Sequence, residues 1–79
     1  MQIRVNGALV KSDMLDNILD KINFNNYNKE SFLNRINDCP DGYELSYLSF
    51  TIGNKPSVNV GWKHLTNENR SPVFLFFFL

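Results

Sequence analysis

Two kinds of hydrophobic spacing divide the chain near Gly42. Between residues 12 and 38, apolar side chains recur every three or four positions, which is typical of the buried stripe of an α-helix. After Gly42 they alternate with polar residues or run together, which is typical of β-strands. The pattern predicts helices near 12–22 and 28–38, and strands near 43–52, 57–63 and 73–79.

The first ten residues contain a hairpin signal. Asn6 and Gly7 separate two short apolar runs, Ile3–Val5 and Ala8–Val10. Asn-Gly favours a type I′ turn because both residues tolerate a positive φ. Arms this short are not stable alone, so we expect the hairpin to pack against the rest of the fold.

Each predicted helix begins at a residue that can cap its free N–H groups, Ser12 for the first and Asn28 for the second. Pro40 disfavours helical geometry at the residue before it and ends the second helix. The two apolar stripes are Met14, Leu15, Ile18, Leu19 and Ile22, and then Phe32, Leu33 and Ile36.

The three predicted strands differ in how many apolar faces they have. In the first, the apolar phase switches between Tyr47 and Leu48, which predicts either a strand covered on both faces or a bulge. The second alternates cleanly over 57–63. Its inward residues are Val58, Val60 and Trp62, and its outward residues are Ser57, Asn59, Gly61 and Lys63.

The last seven residues are all apolar. Phe74, Phe76 and Phe78 share one face of the predicted strand, and the residues between them share the other. Such a strand belongs where both faces are covered. Since two helices form one layer, we expect the second face to be covered by the N-terminal hairpin, by a second copy or by a target. Removing 74–79 should abolish folding, because it deletes four aromatic residues expected in the core.

The order of elements is a hairpin, two helices and three strands, without the strand–helix–strand alternation that builds a parallel sheet. It predicts an α+β fold: a two-layer domain with an antiparallel sheet of three to five strands and both helices on one face. A chain of 79 residues makes a single domain.

Composition narrows the function classes. Eight basic and eight acidic residues give zero net charge. A nonspecific nucleic-acid binder needs a basic excess, so nucleic acid is an unlikely partner. Zero net charge also removes the repulsion that keeps proteins apart, which favours a partner or a homodimer.

The chain has no signal-peptide pattern and no apolar run of membrane-spanning length, so we expect a cytoplasmic protein.

No motif points to an enzyme, a metal or a cofactor. Cys39 and His64 are the single residues of their types, and nothing in the sequence brings them together as a nucleophile and its base. One Cys and one His cannot complete a tetrahedral zinc site. We therefore expect neither catalysis nor a cofactor. Cys39 is expected in the core and His64 in a loop or on the surface.

Two groups of carboxylates are candidates for binding a partner: Asp13, Asp16 and Asp20 on the first helix, and Asp38, Asp41 and Glu44 around Pro40. Each is either a solvated face or a docking surface for a basic partner. A different pattern, Lys55 and Lys63 near Trp62, would suit single-stranded nucleic acid.

The chain resembles, as a class, the small inhibitors made by bacteria and phages: immunity proteins, antitoxins and anti-CRISPR proteins. The shared features are small size, twelve asparagines and no catalytic motif. The resemblance implies a non-enzymatic inhibitor that occludes a target protein, for example a nuclease or toxin with a basic surface. The acidic groups would orient docking, with Tyr43 or Trp62 as an aromatic anchor. The alternatives are a nucleic-acid-binding or transcription-accessory protein, and a structural subunit that assembles through the C-terminal strand.

Overall fold

The computed structural model describes all 79 residues and has two helices and five strands. A single 3-10 turn at Ser12–Met14 precedes the first helix. The elements in chain order are β1 (Gln2–Val5), β2 (Ala8–Val10), α1 (Leu15–Lys21), α2 (Lys29–Asn37), β3 (Tyr43–Thr51), β4 (Ser57–His64) and β5 (Val73–Phe78).

The strands form one sheet in the order β2-β1-β3-β4-β5. Every neighbouring pair is antiparallel except β1 and β3, which are parallel. The parallel pair arises because the chain leaves β2 and, after two helices, re-enters the sheet at the end where β1 begins. The predicted α+β class is confirmed, and the single parallel pair is the feature that the order of elements did not predict.

The predicted hairpin turn is confirmed. Asn6 has φ 48° and Gly7 has φ 85°, as a type I′ turn requires. The turn is also tied to β3, since the Asn6 N–H donates to the Phe50 carbonyl at 2.8 Å and the Asn6 side-chain oxygen accepts from the Ile52 N–H at 2.8 Å.

The two helix starts differ from each other. Asn28 caps α2 as predicted: its Oδ1 accepts from the Ser31 N–H at 2.8 Å, and Ser31 Oγ accepts from the Asn28 N–H at 2.9 Å. The prediction for Ser12 is wrong. Ser12 lies inside the 3-10 turn, no side chain caps that turn, and α1 begins three residues later.

A bulge between Leu45 and Tyr47 explains the change of apolar phase in β3. Leu45 lies opposite Trp62 on β4, and Leu48 lies opposite Val60. The extra residue therefore keeps Leu45 and Leu48 on the same face of the sheet as the inward residues of β4. Of the two predicted explanations, the bulge is the correct one.

Both helices cover the same face of the sheet, as predicted. The buried apolar residues form one cluster between the helix layer and this face. Its members are Ile3, Ile18, Leu19, Ile22, Phe32, Ile36, Leu48, Phe50, Val58, Val60, Trp62 and Leu79.

The C-terminal strand lies at the edge of the sheet, and only one of its faces is in the core. Phe77 packs against Tyr27 and Phe32, with ring centroids 5.0 and 6.2 Å apart. Phe74, Phe76 and Phe78 point to the other face and are 63%, 53% and 52% exposed. The expectation that all four aromatics are buried is wrong. The N-terminal hairpin does not cover them either, because it lies at the opposite edge of the same sheet.

Leu79 attaches the end of β5 to the segment between the helices. Its side chain is 1% exposed, and its N–H donates to the Pro56 carbonyl at 2.8 Å. Its own carbonyl oxygen accepts from three consecutive N–H groups, those of Asn25, Asn26 and Tyr27, at 2.8–3.1 Å. Three converging donors on one oxygen hold this corner of the two layers together.

The two faces of β5 should therefore respond differently to truncation. Phe77→Ala should lower the free energy of unfolding by about 2–3 kcal/mol, because it leaves a void beside Tyr27 and Phe32. Phe76→Ala, one residue away, should cost less than about 1 kcal/mol because that ring is half exposed. Urea unfolding of the two variants measures the difference. Equal losses would contradict the assignment of the faces.

Candidate protein-binding surface

The open face of the sheet, opposite the helices, carries three aromatic side chains in a row along β5. We call Phe74, Phe76 and Phe78 the aromatic strip. The rings of Phe76 and Phe78 meet edge to face at 5.3 Å. Three large apolar side chains, each more than half exposed and in one row, make a contiguous apolar patch of the kind that marks interaction sites.

Gly61 on β4 leaves space for the ring of Phe74 over the neighbouring strand. A Cβ atom at this position would come within 2.8 Å of Phe74 Cε1 and 3.1 Å of the Tyr47 Cβ. The Tyr47 ring meets the Phe74 ring edge to face at 6.4 Å. As a result Gly61, which alternation places on the outward face, is buried under Phe74. Ser57, opposite Phe78, is likewise only 6% exposed.

The outer edge of β5 has unpaired backbone groups. The Leu79 N–H donates toward β4, to the Pro56 carbonyl. Backbone groups of alternate residues point to the same side of a strand, so those of Leu75 and Phe77 also point to β4. The N–H and C=O groups of Phe74, Phe76 and Phe78 therefore point away from the sheet. The one partner found there is the Asn26 side-chain amide, which donates to the Phe78 carbonyl at 3.5 Å.

The rest of the open face is mainly polar, and two of its cations have partners within the fold. Arg4 Nη1 donates to the Gly7 carbonyl at 3.0 Å. Lys63 Nζ lies 3.5 Å from Glu44 Oε1. Leu9, 63% exposed on β2, is the other large apolar side chain of this face, and three strands separate β2 from β5. The aromatic strip is therefore a localised feature of this face.

The carboxylates of the first predicted group lie on the helix layer. Asp13, Asp16 and Asp20 are all exposed. Lys29 Nζ, at the start of α2, lies 3.3 Å from Asp16 and 3.2 Å from Asp20. Hydrogen bonds to Asp20 and then to Asp16 raise the pKa of the Lys29 ammonium. Lys29 therefore neutralises part of this group, and Asp13 is left without an ion pair.

The second predicted group is divided between two parts of the fold. Asp38 and Asp41 are exposed in the connection between α2 and β3. Glu44 lies in β3, where it pairs with Lys63 on the open face. Glu44 and the two aspartates consequently do not form one free acidic cluster.

The two predicted aromatic anchors lie on the helix-facing side of the sheet. Trp62 is 4% exposed and its Nε1–H donates to the Ile36 carbonyl at 3.0 Å. It is a core residue, so its proposed role as a docking anchor is corrected. Tyr43 is half-buried; its hydroxyl lies 3.4 Å from the Ser71 carbonyl, and its ring meets the His64 ring edge-on at 5.1 Å. It therefore holds the loop after β4.

His64 and Cys39 both contact other parts of the fold, His64 through hydrogen bonds and Cys39 through packing. His64 Nδ1 accepts from the N–H groups of Thr66 and Asn67, at 3.3 and 2.9 Å. Cys39 is half-buried and packs against the core.

No three His, Cys, Asp or Glu side chains gather closely enough to hold a metal ion. Neither helix has the length and apolar character needed to cross a bilayer.

Sequence reasoning identified the three phenylalanines of the strip as one face of a strand but did not place that strand at an edge. The alternation of 57–63 had already placed Trp62 inward, which was the available signal against Trp62 as an anchor.

Comparison with known proteins finds no matching family model, no matching curated protein and no matching solved structure.

A double-mutant cycle tests the contact between Gly61 and Phe74. Gly61→Ala should destabilise the protein by about 1 kcal/mol, because the new methyl group forces the Phe74 ring away from β4. In a Phe74→Ala background most of this cost should disappear, giving a coupling energy of at least about 0.5 kcal/mol by urea unfolding. Gly53→Ala is the control, since open space surrounds Gly53. An additive cycle would show that the ring does not lie over Gly61.

Proposed function

We propose that the protein is a non-enzymatic protein-binding domain of the small-inhibitor class, and that it docks through the aromatic strip and the free edge of β5. The observation that carries the proposal is the exposure of Phe74, Phe76 and Phe78, at 63%, 53% and 52%, on a strand with unpaired backbone groups. Burying large aromatic side chains supplies much of the binding energy in protein interfaces.

The partner segment best suited to this site is an extended strand of a target protein. A strand added to the edge of β5 would hydrogen-bond the backbone groups of Phe74 and Phe76 and extend the sheet. The side chains that this strand places on the open face would lie beside the strip, and they would need to be apolar in order to pack against its rings. An inhibitor bound in this way acts by occlusion, because the domain then shields the target surface next to the bound strand.

The acidic residues have a secondary role in this proposal. Asp13, Asp38 and Asp41 are exposed and have no ion pair. Exposed charges of this kind mainly raise the association rate with a basic partner and fix its orientation. A nuclease or toxin with a basic surface would benefit from this steering, while the strip supplies the contact area.

Single-stranded nucleic acid is the second candidate, favoured by exposed rings beside Lys63 on an open sheet. The charges weigh against it. A backbone-binding surface needs an excess of cations to release phosphate counterions, whereas this chain has zero net charge and Lys63 is paired with Glu44. Lys55, which has no ion pair and lines a hollow with Phe78, is the cation that favours this candidate.

Affinity purification with four versions of the protein as bait distinguishes the possible docking surfaces. The baits are the native chain, Phe74→Ser/Phe76→Ser, Asp13→Lys/Asp16→Lys, and Leu9→Ser. Leu9→Ser removes a side chain as exposed as Phe74 from the far edge of the same face. A target retained by the native chain is then purified and titrated by calorimetry. We expect the double serine variant to bind about thirtyfold or more weakly, since anchors contribute 2 kcal/mol or more. Leu9→Ser should bind as the native chain does.

Other outcomes would contradict the proposal in different ways. If the lysine variant alone loses the target, the docking surface is the acidic side of the helix layer. If the native chain instead binds a single-stranded oligonucleotide with an affinity that falls steeply with salt, the nucleic-acid alternative is correct.

A further inference from the structure

We infer that a second copy of this chain occupies the β5 edge when no target is bound, through antiparallel β5–β5 pairing about a two-fold axis at Phe76. The inference deepens the proposed function, because self-association and target binding would then compete for one edge. The pairing itself requires only this protein and can be tested without a target.

The backbone groups at the edge are self-complementary. With Phe76 opposite its own copy, Phe74 of each chain lies opposite Phe78 of the other. These are the residues whose N–H and C=O groups point away from β4, so each opposed pair can exchange two hydrogen bonds. The Phe78 carbonyl can take part while it accepts from Asn26, since a carbonyl oxygen has two lone pairs.

The side chains match in the same register. Residues directly opposite in an antiparallel pair share a face, so the two aromatic strips continue each other on the open side. Leu75 of one copy lies opposite Phe77 of the other on the helix side. A slip of one residue would set the Phe74 face against the Phe77 face.

A slip of two residues, with the axis at Leu75, is less favourable. Phe78 would then lie opposite Pro72, which has no N–H to donate. The Phe78 carbonyl would lose its partner in both copies. With the axis at Phe76, the outward-facing N–H and C=O groups of Phe74, Phe76 and Phe78 in each strand all have hydrogen-bond partners.

The distribution of charged residues also favours pairing of two copies at the β5 edge over pairing at the β2 edge. The segment 71–79 contains no charged residue, and exposed edges are usually protected from pairing by charges, prolines or bulges. The β2 edge is only three residues long and is followed directly by Lys11. Zero net charge adds no long-range repulsion between copies.

The size of the contact predicts a weak dimer. Edge pairing sets the two strips side by side and leaves the tops of the rings in solvent. It therefore buries less than the whole exposed area of the strip, which is roughly 350 Å² per copy at about 200 Å² for a Phe side chain. A stable interface buries about 800 Å² per partner. We therefore expect a weak dimer, from which a tightly bound target displaces the second copy.

Sedimentation equilibrium between about 1 and 500 μM tests the inference. The native chain should dimerise in this range. F76K should be monomeric throughout, because it sets two like charges opposite each other at the axis. F74K/F78K should also be monomeric, whereas F74K/F78E should dimerise within about tenfold of the native chain, because opposite charges then face each other. L9K is the control at the other edge and should dimerise normally.

Circular dichroism confirms that each variant has kept its strands, which is expected because all the changed residues are more than half exposed. A native chain that is monomeric at 500 μM overturns the inference and leaves the proposed function intact. Dimerisation of F74K/F76E but not of F74K/F78E overturns the register. Loss of the dimer in L9K, with a dimeric F76K, assigns the interface to β2 and overturns the inference as well.

Discussion

A single layer of helices can cover one face of the sheet, and β5 has apolar side chains on both of its faces. This mismatch determines much of what is distinctive in the molecule. Leu75 and Phe77 join the helix-facing side, and Leu79 is held by three N–H groups of the segment between the helices. No helix or strand of the fold covers the aromatic strip. The strand is thus anchored to the fold along one side and left open along the other.

The open side is shaped by its neighbours. Gly61 leaves space for the Phe74 ring, and Tyr47 supports that ring from β3. The bulge at Ser46 places Tyr47 on the open face while Leu45 and Leu48 stay in the core. Since the remaining residues of this face are mainly polar, the apolar contact area is concentrated along one strand. Substitutions at the half-exposed Phe76 and Phe78 should therefore cost little stability.

Local patterns predicted the local structure well. The Asn6-Gly7 turn, the Asn28 cap and the alternation of faces over 57–63 each depend on neighbours close in sequence, and each was confirmed. The Ser12 cap was a local prediction as well, and it was wrong because a 3-10 turn precedes α1. The parallel pairing of β1 with β3 and the edge position of β5 depend on how distant segments meet, and periodicity carries no information about that. For the same reason the strip was recognised as apolar but not as exposed. The proposed partner roles of the acidic residues depend on a molecule outside the chain and stay predictions.

Residue-resolved amide hydrogen exchange by NMR, at a concentration below self-association, tests the central claim that β5 presents a free edge. The account predicts slow exchange at Leu75 and Phe77, whose N–H groups face β4, and fast exchange at Phe74 and Phe76. Raising the protein concentration or adding a target should slow exchange at Phe76 in particular. Equal protection of all four amides in the monomer would mean that the edge is already covered. Slow exchange at Phe74 and Phe76 with fast exchange at Leu75 and Phe77 would mean that the strand faces the other way.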